Sequence, residues 1–203
     1  MSKIFLNYKE EAKKVIIDAA ITVAIREGYQ AMTIEDVAKE VGVTKGALYG
    51  YFQNKEELMS EVLIEISKKL EENLNLSQVE GSFDSILDQL SDKILKDQQI
   101  PVISELMSIS GRDPAIHQMV SKMMDHTIQF IENDLRTLQE QKCIPGTLDL
   151  HAAAIVTEAL SRGMSTKLYV TQEPEEIRKL WQSGMKKLMD LPAEHSEAGI
   201  STR

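Results

Sequence analysis

The stretch 33–58, TIEDVAKEVGVTKGALYGYFQNKEEL, constrains the fold more tightly than any other part of the chain. Helix-start and helix-stop signals alternate in it at short range. Thr33, with Asp36 three residues on, forms a short capping box, and Ile34, Val37 and Ala38 share one apolar edge until Gly42 breaks the helix. Thr44 caps a further helix predicted over 45–51, with Phe52 anchoring its end, and Asn54 opens another over about 55–74. Before them, Ala12, Val15, Ile16, Ala19, Val23 and Ala24 mark a helix over 9–28 that ends on Gly28. The reading is therefore two short helices joined by a tight turn and flanked by two longer ones. Val37, Ala38, Val43 and Leu48 are expected to form the apolar joint.

Nothing later in the chain favours strands. Alternation of Val, Thr and aromatic residues is nearly absent, and Leu, Ile, Ala, Met, Glu and Lys recur at helical spacing, so the chain is expected to be all-α. Helices are predicted at about 83–98, 101–110, 113–142, 149–169 and 174–190. Pro101, Gly111, Pro114, Pro145, Gly146 and Pro174 mark the breaks between them. Ser77–Ser82 reads as a polar linker and 192–203 as a disordered tail. The expected organisation is a small head over 1–56, a larger helical domain over 57–191, and the tail.

The lone Cys143 excludes an internal disulfide, and no Cys/His spacing suits zinc. The opening MSKIFLNYKEE lacks the apolar run of a signal peptide, and Val15–Ile25 is too short to span a bilayer. A cytoplasmic, soluble chain without membrane partner or cofactor is expected. The net charge of −9 argues at first against nucleic acid, but it is unevenly spread. Residues 1–60 carry eight Lys/Arg against nine Asp/Glu, and 41–55 hold two lysines and no acid. Phosphate binding responds to the local field, which decays within about 8–10 Å at physiological salt. A locally basic head on an acidic body suits DNA, with weak non-specific affinity.

In a helix-turn-helix the first helix braces the second, which offers its N-terminal side chains to base edges in the major groove. Lys45, Gly46, Ala47, Tyr49 and Tyr51 are left facing outward by the apolar joint. Gly46 lets the backbone approach, Ala47 suits a thymine methyl, and the tyrosines suit phosphate or sugar. Thr33, Thr44 and Lys55 sit at helix starts, where phosphate is favoured.

Residues 10–58 resemble the TetR family of one-component regulators. The matching positions are Lys13, Ile16, Ile17, Ala19, Ala20 and Gly28, then Thr33, Val37, Ala38, Gly42, Val43, Thr44, Gly46, Leu48, Tyr49, Tyr51, Phe52, Lys55, Glu56 and Leu58, in unbroken spacing. Three positions depart from the pattern. Ala24 stands where a phenylalanine is frequent, which calls on Met32 or Tyr29 to fill the core. Val41 replaces an alanine, and Gly50 falls inside the predicted recognition helix, at a cost of roughly 1 kcal/mol against alanine.

The resemblance implies a homodimeric, ligand-responsive repressor that binds a palindromic double-stranded DNA operator. It also implies a C-terminal helical domain for ligand binding and dimerisation, whose last two helices form the interface. Ala159 and Gly163, with Leu180, Trp181, Met185 and Leu188, are the candidate interface residues. An adaptable apolar pocket for an unknown small-molecule effector is expected from Ile103, Leu106, Met107, Met119, Met123, Phe130 and Met164, because methionine tolerates varied shapes. Each of these also suits plain core packing. Arg112, Arg162 and Glu105 are candidates for a polar head group. An enzyme would need a nucleophile with its base, a metal motif or a phosphate loop, and the chain has no GxSxG, HExxH, P-loop or Rossmann glycine set. A helix-turn-helix adaptor that binds only proteins is the remaining alternative.

Overall fold

The computed structural model describes residues 3–74, 82–95 and 100–189. Most of the expected linker and all of the tail at 192–203 lie outside the described residues. All regular structure within them is α-helical. The helices are α1 (Lys3–Glu27), α2 (Ile34–Val41), α3 (Lys45–Tyr49), α4 (Lys55–Leu74), α5 (Phe83–Leu95), α6 (Ile100–Ser110), α7 (Pro114–Glu140), α8 (Leu150–Thr171) and α9 (Pro174–Met189). No helix among the described residues is long and apolar enough to cross a membrane.

The caps follow the local signals. The Thr33 hydroxyl accepts the Asp36 N–H at 3.2 Å while the Asp36 carboxylate accepts the Thr33 N–H at 3.0 Å, a complete capping box. Gly42 leaves α2 at φ +80°, and the N–H groups of Gly42 and Val43 turn back to the carbonyls of Lys39 and Ala38 at 3.1 and 2.9 Å. Asn54 accepts the Glu57 N–H at 2.7 Å and starts α4, and Asp149 does the same for α8 through Ala152. Two expectations change. α1 begins at Lys3, since neither Gly nor Pro interrupts residues 3–8. α3 stops at Tyr49, so Gly50 ends the recognition helix at φ −71° and carries no mid-helix cost.

The chain forms two compact units, Met1–Leu70 with Gln98–Met124, and Glu71–Asp97 with Asp125–Arg203. The first has a single apolar core. Ile16, Ala20, Val23, Ala24, Val37, Ala38, Leu48 and Phe52 share it with Leu58, Met59 and Val62 of α4, Val102 and Leu106 of α6, and Ile116 and Val120 of α7. Tyr29 and Met32, the two residues expected to fill the core in place of a phenylalanine at Ala24, are both buried in the core that contains it. Val43 is not part of the joint. It is 43% exposed, because the turn that closes α2 spends its backbone on Ala38 and leaves the side chain outside. The core runs past residue 56 without a break, so compactness draws a different line from the expected 56/57 boundary.

The second unit buries Ile86, Leu87, Leu135, Leu138, Ala153, Ala154, Trp181, Met185 and Leu188. The Trp181 indole N–H donates to the Ser161 hydroxyl at 3.0 Å, so this buried ring leaves no orphan donor. A polar seam joins α5 to α9. Lys186 pairs with Asp84 at 2.6 Å, Gln182 donates to Asp88 at 2.7 Å, and Arg178 reaches Asp92 and the Ser91 hydroxyl.

Candidate nucleic-acid interface

α3 is a five-residue helix held by its apolar side. Leu48 and Phe52 are each 1% exposed and lock it into the first core, which turns Lys45, Gly46, Ala47 and Tyr49 outward. Tyr49 is 49% exposed, and Lys45 forms no ion pair among the described residues. Tyr51 is half-buried against the core, so it braces the helix end with one side and leaves the other at the surface. Thr44 accepts the Ala47 N–H at 3.3 Å, and its hydroxyl hydrogen stays available for an outside acceptor.

The start of α2 is different. Asp36 takes both donors of Thr33, the N–H at 3.0 Å and the hydroxyl at 2.5 Å. Glu35 and Asp36 supply two negative charges to the first turn. A phosphate arriving at Thr33 therefore meets a carboxylate already in place. Thr33 is foremost a cap, and Thr44 is the better placed of the two threonines.

The bond from the Thr33 hydroxyl is the largest cause that holds the Asp36 carboxyl below its ordinary value of 3.8. Desolvation opposes it, and the Thr33 N–H, Lys39 and Arg26 reinforce it. A depressed carboxyl pKa contributes stability that is complete above the unfolded value and lost as pH falls through the folded one. Urea unfolding between pH 5 and 2.5 should accordingly show wild type losing more stability below about pH 4 than Asp36→Asn does. Parallel curves for the two proteins would contradict the assignment.

Lys55 does not project freely. Its ammonium donates to the Gln30 carbonyl at 3.2 Å and lies 4.3 Å from the centre of the Tyr29 ring. Burial pushes its pKa down, while Glu56 and Glu105 pull the other way. The same burial, with Glu56, Asp113 and Glu105 nearby, pushes the Tyr29 hydroxyl up to about 12. One ammonium has three N–H groups, so donors remain for a further acceptor. Lys55 is thus a cation held in place by the turn between α1 and α2.

That turn is held in its turn by Glu105, a residue expected to greet a ligand head group. The two carboxylate oxygens accept the N–H groups of Tyr29 and Gln30 at 2.7 and 2.8 Å. Sequence reasoning missed this role, although Glu105 is the only charged residue in the α6 sequence IPVISELMSIS. Arg162 is also committed, to the buried carboxylate of Glu158 one turn earlier on α8.

The remaining candidates divide. Of the pocket set, Ile103, Leu106, Met107, Met119 and Met123 belong to the core of the first unit, whereas Met164 packs on the core of the second and Phe130 falls in that unit. They divide between two apolar clusters, because α7 gives its first part, with Met119 and Met123, to one core and its later part to the other. Of the interface set, Ala159 and Gly163 are exposed and Leu180 is 40% exposed. Trp181, Met185 and Leu188 must be withdrawn from it. They are at most 6% exposed and form the core of their own chain against α5 and α8, so the apolar residues of α9 do not share one face. The exposed apolar residues Ile155, Val156 and Val170 extend the Ala159–Gly163 stripe on α8 and were overlooked.

Residues 16–62 match the family described as bacterial regulatory proteins, tetR family. The chain is 30% identical over 158 residues to the HTH-type transcriptional regulator SrpR of Pseudomonas putida, covering 76% of this chain and 74% of that protein. It is 24% identical over 168 residues to a probable acrEF/envCD operon repressor of Escherichia coli strain K12, covering 77% and 76%. In three dimensions it resembles a TetR-family transcriptional regulator from Rhodococcus sp. with a TM-score of 0.78 at 19% identity, covering 89% of this chain and 99% of the other.

Proposed function

The chain belongs to the tetR family of bacterial regulatory proteins, and from that premise we propose that it is a cytoplasmic, homodimeric repressor released from a palindromic operator by a small apolar or amphipathic molecule. As a member of this family it is a DNA-binding transcriptional regulator with an N-terminal helix-turn-helix. The observation that carries the finer reading is the outward face of α3. Lys45, Gly46, Ala47 and Tyr49 are presented by a helix whose opposite side, Leu48 with Phe52 behind it, is wholly buried. Lys45, Ala47 and Tyr49 so displayed enter the major groove, Gly46 lets the backbone come close, and Thr44, Tyr51 and Lys55 address the flanking phosphates. Thr33 supports them as a cap. The head assigned to reading DNA is 1–56, and the helical remainder to 191 carries effector binding and pairing.

One recognition helix reads few bases, and pairing two copies about a two-fold axis doubles the site and makes it an inverted repeat. The exposed stripe of Ala159 and Gly163 on α8, flanked by Ile155, Val156 and Val170, supports pairing there, with Leu180 of α9 beside it. An effector shifts operator affinity only so far as it prefers one spacing of the two heads.

Selection of duplexes from a random-sequence pool by the full-length protein tests the reading. An enriched inverted repeat, its half-sites about one helical turn apart, is expected. Recovery of no preferred duplex would overturn it.

A further inference from the structure

We infer that Glu105 is a positioning residue for DNA binding: from α6 it anchors the turn after α1, and through Gln30 that turn holds Lys55 at the start of α4 where it meets phosphate. The inference rests on the reading above that Lys55 touches phosphate.

Gln30 is gripped at both of its main-chain groups. Its N–H donates to the Glu105 carboxylate at 2.8 Å, and its carbonyl accepts the Lys55 ammonium at 3.2 Å. The other Glu105 oxygen takes the Tyr29 N–H at 2.7 Å, and the Tyr29 ring forms the floor under the Lys55 ammonium, 4.3 Å away. The carboxylate and the ammonium therefore act on the same two residues. Bonds of this kind, with one charged partner, are shorter and stronger than neutral ones and fix geometry accordingly. The residue beside this contact, Gly28, has no side chain to crowd it. It adopts φ +80°, and a Cβ there would stand 2.9 Å from a Glu105 oxygen.

Without the Glu105 charge, the turn loses its anchor and Lys55 loses the fixed carbonyl and ring that hold it. A flexible lysine must then be ordered anew each time a phosphate is bound, which weakens binding. The effect travels through Lys55, so it should vanish when Lys55 is already gone. A side chain that merely stabilised the fold would weaken binding with or without Lys55.

The test is a double-mutant cycle on the full-length chain with Glu105→Gln, Lys55→Met and the pair. The probe is a duplex recovered by selection with wild type, titrated at several salt concentrations. Each single variant is expected to bind about tenfold more weakly, and the pair within about threefold of either single variant. The log–log salt slope should flatten by about 0.9 for each phosphate no longer neutralised in Lys55→Met and in the pair, and stay near the wild-type value in Glu105→Gln, where the ammonium still reaches phosphate once ordered. In the free protein, the Tyr29 and Gln30 amides should exchange at least about tenfold faster in Glu105→Gln than in wild type, while α8 is unchanged. Losses that multiply to about a hundredfold, unchanged affinity in Glu105→Gln, or unchanged exchange at those amides would each overturn the inference. If Glu105→Gln does not fold, Glu105→Asp, whose carboxylate falls one methylene short, takes its place with the same expectations. If wild type selects no duplex, the proposed function fails instead, and the exchange measurement still decides whether Glu105 anchors the turn.

Discussion

Tyr49→Ala, and separately Lys45→Ala, should lower affinity for the selected duplex by about thirtyfold to ten-thousandfold, since each recognition contact is worth roughly 1–3 kcal/mol and a dimer makes it twice. Both side chains stand outside the core that fixes α3, and Tyr49 is half exposed. Helicity, thermal midpoint and dimer mass should therefore stay at wild-type values, since surface substitutions of this kind shift stability by about 0.5 kcal/mol or less. The kind of loss identifies what each side chain touches. Removing a side chain that reads bases relaxes preference at one position of each half-site, whereas removing one that touches phosphate weakens all duplexes alike and flattens the salt slope. Mobility-shift titrations against the selected duplex and single-position mismatches distinguish these outcomes. Wild-type affinity in both variants would remove α3 from the interface.

Gly163→Glu should dissociate the proposed dimer and with it nearly all operator binding. In the single chain a Cβ at Gly163 meets no heavy atom within 4 Å beyond its chain neighbours and the adjoining helix backbone, and the residue lies inside α8. Replacing an exposed helical glycine gains up to about 1 kcal/mol of helix propensity, so the isolated subunit should be no less stable than wild type. Within a pairing of two α8 stripes the two-fold axis brings like carboxylates together in a site without water, which the interface does not tolerate. A monomer retains one half-site, and losing the linked second one lowers apparent affinity by about a hundredfold to ten-thousandfold. Sedimentation at monomer mass with wild-type helicity is the expected result, and Ala159→Glu should behave alike. An unchanged dimer mass in both would place pairing elsewhere. Trp181 cannot serve as a control, because it is 3% exposed in the core of its own unit.

What could be read from the residues alone was whatever closes within about four positions. The capping box of Thr33 and Asp36, the left-handed exit at Gly42, the cap at Thr44 and the start of α4 at Asn54 are bonds between near neighbours. Their spacing delivers the helix-turn-helix, and burial of Leu48 and Phe52 in the core then turns the other face of α3 outward. The length of α3 was misjudged because a short helix is ended by its packing as much as by its sequence, and Phe52 is drawn into the core two residues past Gly50.

Tertiary structure alone decided which way ambiguous side chains face. Nothing near Glu105 in sequence says that it meets Tyr29 and Gln30, some 75 residues earlier, or that Lys55 is occupied with the same turn. The apolar positions of α9 satisfy a core or an interface equally well by period, and only the presence of α5 and α8 beside them makes Trp181, Met185 and Leu188 core and leaves Leu180 outside. The physical reason is one of range. Local hydrogen bonds are specified by spacing, whereas burial and ion pairing depend on which distant element closes against a given face, and a single helix's pattern is the same for every partner that could cover it.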